Sequence, residues 1–162
     1  MTVTGGKTLR RLKMFVWVVG AVGLVQAVGA VLAARSIEDP TSAGVQLGVA
    51  VGVGLVGAST VAARTRFVRR PWRVDDPTAL ALDYSTRVVV QVILALGAAN
   101  VAYAGAIVTG AGWIVAIGLV FFVAPLVAVL PTGRNLARVE GELHAQGSRF
   151  GLLESLQSRD SV

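Results

Sequence analysis

The sequence of 162 residues has no cysteine and a single histidine. The first absence removes disulfides, thiolate nucleophiles and cysteine-ligated metals. The second leaves His144 as the only imidazole, on a charged stretch beside Glu140 and Glu142, where a solvated side chain is the ordinary reading. Charge is scarce as well, at 15% of residues, well below the ~25% of a soluble domain. Lysine is confined to Lys7 and Lys13, a skew towards arginine that suits a high-GC bacterial source. Four stretches, 14–34, 43–63, 88–109 and 113–130, contain no Asp, Glu, Lys or Arg at all. They hold no acid–base pair, no metal-ligand set and no titratable group for cation- or proton-coupled transport. Neither an enzyme nor a metal or cofactor protein is expected. Small four-helix multidrug transporters have a comparable size and helix count, but their membrane-embedded glutamate has no counterpart here.

What the chain does have is apolar length. Hydrophobic residues make up 54% of it and the mean hydropathy is +0.70. Each of the four stretches reaches the roughly 20 residues that a bilayer-spanning helix needs. They predict an all-α integral membrane four-helix bundle made of two helical hairpins. The first stretch has a basic flank, yet its core exceeds the ~7–15 residues of a signal h-region and no A-x-A follows, so a retained anchor is expected.

The cations fix the expected orientation. Four precede the first stretch (Lys7, Arg10, Arg11, Lys13), six lie between the second and third (Arg64, Arg66, Arg69, Arg70, Arg73, Arg87), and four follow the last (Arg134, Arg138, Arg149, Arg159). Only Arg35 lies in a loop on the other side. By the positive-inside rule both termini and the central linker are cytoplasmic, and the protein is a multi-pass protein of a bacterial plasma membrane. The pI of about 11.1 follows from this topology and needs no nucleic-acid partner. The expected layout is a basic N-terminus (1–13), a first transmembrane hairpin (14–63), an Arg-rich cytoplasmic linker with the start of the third helix (64–87), a second hairpin (88–130) and a cytoplasmic amphipathic tail (131–162).

Within the linker, RTRFVRRPWRVDDPTALALDYSTR, Pro71 should stop the second helix. Asp76 followed by Pro77 has the form of an N-cap with proline at N1, so the third helix should start there and be the longest. Asp83 and Arg87, four apart, should pair on its exposed part. Arg64, Arg66, Arg69, Arg70 and Arg73 with Trp72 are candidate contacts for anionic phospholipid headgroups or an acidic partner surface. In the tail, Leu136, Val139 and Leu143 form an apolar stripe, and Phe150, Leu152, Leu153 and Leu156 supply a second apolar set. Such a tail is expected on the membrane or on a partner.

The stretch AGVQLGVAVGVGLVGAST carries the main packing signal. Gly44, Gly48 and Gly52 form one ridge, and Ala50, Gly54, Ala58 and Ala62 form another. Each interior glycine costs a helix about 1 kcal/mol relative to alanine, and small ridges recover this through close backbone approach. The second helix is therefore expected between two neighbours, inside the bundle or with one ridge docked on another protein. Ala98, Ala102 and Ala106 form a similar ridge on the third helix. The fourth is bulkier, with Phe121 and Phe122 expected towards lipid with Val120, and with a kink at Pro125. Gln26, Asn100 and Tyr103 are polar residues within the membrane; Gln26 and Asn100 are deep enough to bond helix to helix or to line a weakly polar path.

In size, four-helix plan, cytoplasmic ends and composition, the whole chain resembles the small membrane proteins of mycobacteria and relatives, among them accessory subunits of Mce-type lipid-import complexes. The linker RTRFVRRPWR and the glycine ridges agree with this resemblance, and no functional residue is carried over by it. It implies a larger integral membrane complex as partner. The expected function is a non-enzymatic accessory or stabilising subunit, the alternative being a self-associating small transporter or channel with its path at Gln26 and Asn100.

Overall fold

The computed structural model describes residues 6–72 and 76–158. Arg73 and Arg159 lie outside the described residues. Within them the chain is all helical, without a strand: α1 (Lys7–Arg35), α2 (Ala43–Val68), α3 (Pro77–Thr109), α4 (Ile114–Val129), α5 (Gly133–Ala145) and α6 (Leu152–Ser158). Three of these, α1 to α3, are long and apolar enough to cross a membrane. With 16 residues, α4 is about 24 Å long, short of a ~30 Å hydrocarbon core. It reaches spanning length only together with α5, across a 67° bend. That bend lies at Leu130–Thr132, while α4 itself runs on through Pro125.

The caps anticipated around α3 are present. The Asp76 carboxylate accepts from the Ala79 N–H at 2.9 Å, Pro77 stands at N1, and the 33 residues of α3 make it the longest helix. It ends at Gly110, whose φ of +69° closes the helix in the left-handed conformation. The two loops meet at that end, where Thr41 N–H donates to the Thr109 carbonyl at 3.1 Å. Every described cation except Arg35 belongs to the opposite, basic end of the bundle.

α3 is the hub. It packs against α1, α2 and α4, while α1 and α2 each lie on α3 and α4 and hardly touch one another. The first hairpin is thus a connection and not a packed pair, whereas α3 and α4 form a close one. Their contact uses the predicted alanine ridge: Ala98, Ala102 and Ala106 are buried, and a side chain on Gly118 would run into Ala102.

The phenylalanines of α4 correct the expectation of a lipid-facing bulky helix. Phe122 is fully buried and fills the notch left by Gly23 on α1; Phe121 fills the notch left by Gly57 on α2. Successive residues are 100° apart on a helix, so the two rings reach the two flanking helices. Val120, between them and the preceding turn, is 65% exposed as anticipated.

The tail also differs from its expectation. Leu136, Val139, Leu143, Leu152 and Leu156 are buried in the same core as Leu9, Leu12, Leu80 and Ala81. The cause is the long α3. Its first turns extend beyond the apolar run with a stripe of Leu80, Ala81 and Tyr84, and α6 packs against this helix and α1. The apolar faces of α5 and α6 are therefore used by the chain itself.

Candidate functional site

At the basic end, the C-terminus of α2 presents backbone carbonyls that have no partner within the helix. Arg87 of α3 supplies the partners. Its guanidinium donates to the carbonyls of Val68 (2.9 Å), Arg70 (2.9 Å) and Pro71 (3.0 Å) and to the Asp83 carboxylate (3.1 Å). It also lies over the Trp72 ring, 3.8 Å from the centroid. The residue is only 4% exposed, so Arg87 of the expected surface pair is a buried staple between α2 and α3, while its partner Asp83 is partly exposed. A guanidinium suits this role because its planar fork of donors remains charged when buried.

Trp72, anticipated as a lipid or partner contact, is buried beneath that staple. Its backbone N–H donates to Gln146 Oε1 at 3.0 Å, which ties the linker to the end of α5. Arg66, Arg69 and Arg70 remain exposed, with Arg70 over the Phe67 ring at 5.2 Å. Arg64 is half-buried and donates through Nε to Gln91 Oε1 at 2.7 Å. Gln91 is itself held by a bond from its amide to the Arg87 carbonyl at 3.1 Å.

These residues frame a cavity of about 290 Å³ between α2, α3, α4 and α5. Its cationic wall is Arg64, Arg69 and Arg138, and its apolar floor includes Val61, Val88 and Val129. Glu142 is the one carboxylate in the lining. Asp83–Arg87 is the one ion pair among the described residues, so Glu142 neutralises none of the three arginines at contact distance.

The glycine ridge of α2 lies elsewhere than anticipated. A side chain placed on Gly44, Gly48, Gly52 or Gly54 would meet nothing within 4 Å, and Ala58 is exposed. Within this chain the ridge packs against no neighbour, which corrects the expectation of an internal sandwich. The face α2 does bury carries Val53, Gly57 and, from the second small ridge, Ala50, about 170° from the row Gly44, Gly48 and Gly52 at 100° per residue. Glycines that serve close packing are Gly23, Gly57, Gly105 and Gly118, each facing a side chain of another helix. Of these, Gly105 is legible in sequence beside the ridge of Ala98, Ala102 and Ala106; the signal of the other three is weak because none forms an i, i+4 glycine row on the face it buries.

Of the three polar residues within the membrane, Tyr103 is buried and its hydroxyl donates to the Gly23 carbonyl at 3.1 Å, joining α3 to α1. Gln26 and Asn100 are both exposed, on the outer faces of α1 and α3. Among the described residues neither amide has a hydrogen-bond partner. They do not line a path through the chain, whose interior at this depth is Ala95, Ala99, Ala102 and Phe122. Compared with known proteins, the chain matches no family model, no curated protein sequence and no solved structure. Among the described residues no cluster of metal-ligating side chains occurs.

Proposed function

We propose that the protein is a non-enzymatic accessory subunit that docks on a larger integral membrane complex and stabilises or regulates it. The observation that carries this reading is the outer surface of α1, α2 and α3 at membrane depth. Gly44, Gly48 and Gly52 leave a backbone-deep groove on α2 that no part of the chain enters. Gln26 and Asn100 turn amides outward where lipid offers them no hydrogen bond. Several transmembrane helices of a larger partner satisfy both, since small-residue faces admit close approach and interhelical amide bonds contribute roughly 0.6 to 2 kcal/mol each.

In this reading the bundle crosses a bacterial plasma membrane four times, the bent α4–α5 unit supplying the fourth crossing. Both ends and the arginines are on the cytoplasmic side, and the exposed Arg66 and Arg70 meet anionic phospholipids there. The family resembled in sequence gives the partner a concrete form, the membrane-embedded permease core of an Mce-type lipid importer. A transporter or channel formed by this chain alone is less well supported, because Gln26 and Asn100 face outward on different helices and any path would have to run between copies.

The test is purification of the tagged full chain in a gentle detergent, with Gly48→Leu and Asn100→Leu alongside. A larger complex that is retained by the native chain and lost from both variants, while each variant stays folded, supports docking through these faces. A chain that purifies alone, or a partner indifferent to both substitutions, overturns the proposal. A retained assembly made only of copies of this chain favours the self-associating alternative.

A further inference from the structure

We propose that the cavity at the basic end is a binding site for the phosphate of an anionic glycerophospholipid, with Arg64 and Arg138 as its ligands. The inference rests on the membrane reading above but not on the accessory role, and it concerns the isolated chain.

Position comes first. Arg64 is the first residue after the apolar stretch 43–63, at the depth where headgroups begin. It is not free to reach into water, because Gln91 holds its Nε at 2.7 Å and Gln91 is held in turn by the Arg87 carbonyl. The remaining donors of its guanidinium are available to the cavity that it lines. Arg138 approaches the same cavity from α5, and Arg69 from the next turn of α2.

Charge comes second. Arg87 also lines the cavity, but its charge is taken up by Asp83 and three carbonyls. Three arginines then stand against a single carboxylate, Glu142, that pairs with none of them at contact distance. Guanidinium groups gathered in this way repel one another unless an anion joins them, and their forked donors match phosphate oxygens.

Depth decides between a soluble phosphate and a lipid. About 290 Å³ is at the lower limit of ligand-sized sites, enough for a headgroup and too small for a whole lipid. Arg64 directly follows the apolar stretch 43–63, and the cavity floor of Val61, Val88 and Val129 is apolar. A phosphate held at Arg64 therefore stands at the level of the bilayer headgroups, with the acyl chains of its lipid outside the cavity in the bilayer.

The experiment measures ligand-dependent thermal stabilisation and retained lipid for the full chain in detergent micelles, using phosphatidylglycerol, phosphatidylcholine and inorganic phosphate as probes. Phosphatidylglycerol should bind about tenfold more tightly than phosphatidylcholine, because both carry a phosphodiester but the choline cation of the second is repelled by Arg64, Arg69 and Arg138. Arg138→Gln should remove most of that preference. Arg138 makes no hydrogen bond or ion pair to other described residues, so the fold does not depend on it. Arg64→Gln combined with Arg138→Gln should abolish the preference. Arg149→Gln, an exposed cation outside the cavity, should leave it within about twofold, the scale of a surface charge. Glu142→Gln should strengthen binding about twofold for the same reason. Inorganic phosphate binding as tightly as the lipid would reassign the site to a soluble anion and overturn the lipid proposal. So would equal affinity for the two lipids, which would mean that net anionic charge is not recognised, and so would equal losses in the Arg149 and Arg138 variants, which would mean general surface attraction.

Discussion

The two halves of α2 differ in how the chain treats them. Its basic end is tied down: Arg87 gathers the last carbonyls, Trp72 lies beneath it, and Gln91 holds Arg64. Its outer half presents Gly44 and Gly48 to open space. On charge and composition the arginine-rich segment is expected against lipid headgroups or a partner surface, and the glycine ridges between two neighbours, inside the bundle or with one ridge docked on another protein. Glycine reports that a backbone can be approached closely, without saying by what. An arginine near a helix C-terminus is drawn to that end by the dipole and the free carbonyls, and a buried arginine needs several such acceptors at once.

The largest effect that would sharpen this contrast is at the tied end. Arg87→Ala leaves Asp83 and three carbonyls without the guanidinium and exposes one face of Trp72. Removing one partner of a buried charged pair typically costs about 3 to 5 kcal/mol, and unfolding of the detergent-solubilised chain by added denaturing detergent measures it. Arg87→Lys should lose less, since a lysine keeps the charge but cannot span three carbonyls and stack on the indole. A loss below about 1 kcal/mol for Arg87→Ala would place the pair in the range of exposed salt bridges and remove the staple from the account.

Next in size is the packed interior. Gly118→Leu puts a branched side chain where Ala102 and the Ala99 backbone already stand. Overpacking of this kind costs typically about 1 to 3 kcal/mol, with loss of the folded chain at the upper end. If this variant were as stable as the native chain, α3 and α4 would not be the close pair described above.

Most of the helical plan was legible in the sequence, because uninterrupted apolar runs, Asp76–Pro77 and Pro71 act locally. The alanine ridge of α3 was legible too, since Ala98, Ala102 and Ala106 recur on one face of a helix buried by three neighbours. What depended on distant parts of the chain was not. That Phe121 and Phe122 fill the notches at Gly57 and Gly23 requires knowing that α4 lies between α1 and α2. The start of α3 at Pro77 was legible, but the fate of the tail required knowing that α6 folds back against α3 and α1. Of the candidate residues, Arg64 and Arg69 share a cavity with Arg138, which stood outside the predicted linker set; its membership comes from α5 folding back at the 67° bend. From the sequence Trp72 reads as a surface residue, because tryptophan at a membrane interface usually is one, and its cover, Arg87, is 15 positions away.

The smallest effect separates the two kinds of glycine on one helix with one substitution. Gly48→Ala adds a methyl group that meets nothing within 4 Å, so in the isolated chain only the helix propensity changes, a gain of up to about 1 kcal/mol. Gly57→Ala, nine positions on, adds the same methyl group against the Phe121 ring. The ring must move or leave its notch, and the same propensity gain is outweighed by an overpacking loss of about 1 to 3 kcal/mol. The two variants should therefore shift the unfolding midpoint of the purified chain in opposite directions. Any partner bound to the native protein reverses the expectation for Gly48 alone, because the methyl group would then stand between two helices. Comparing Gly48→Ala in the isolated chain and in a purified assembly thus reads the docking face directly: stabilising in the first and weakening in the second if the ridge is covered, stabilising in both if it faces only lipid.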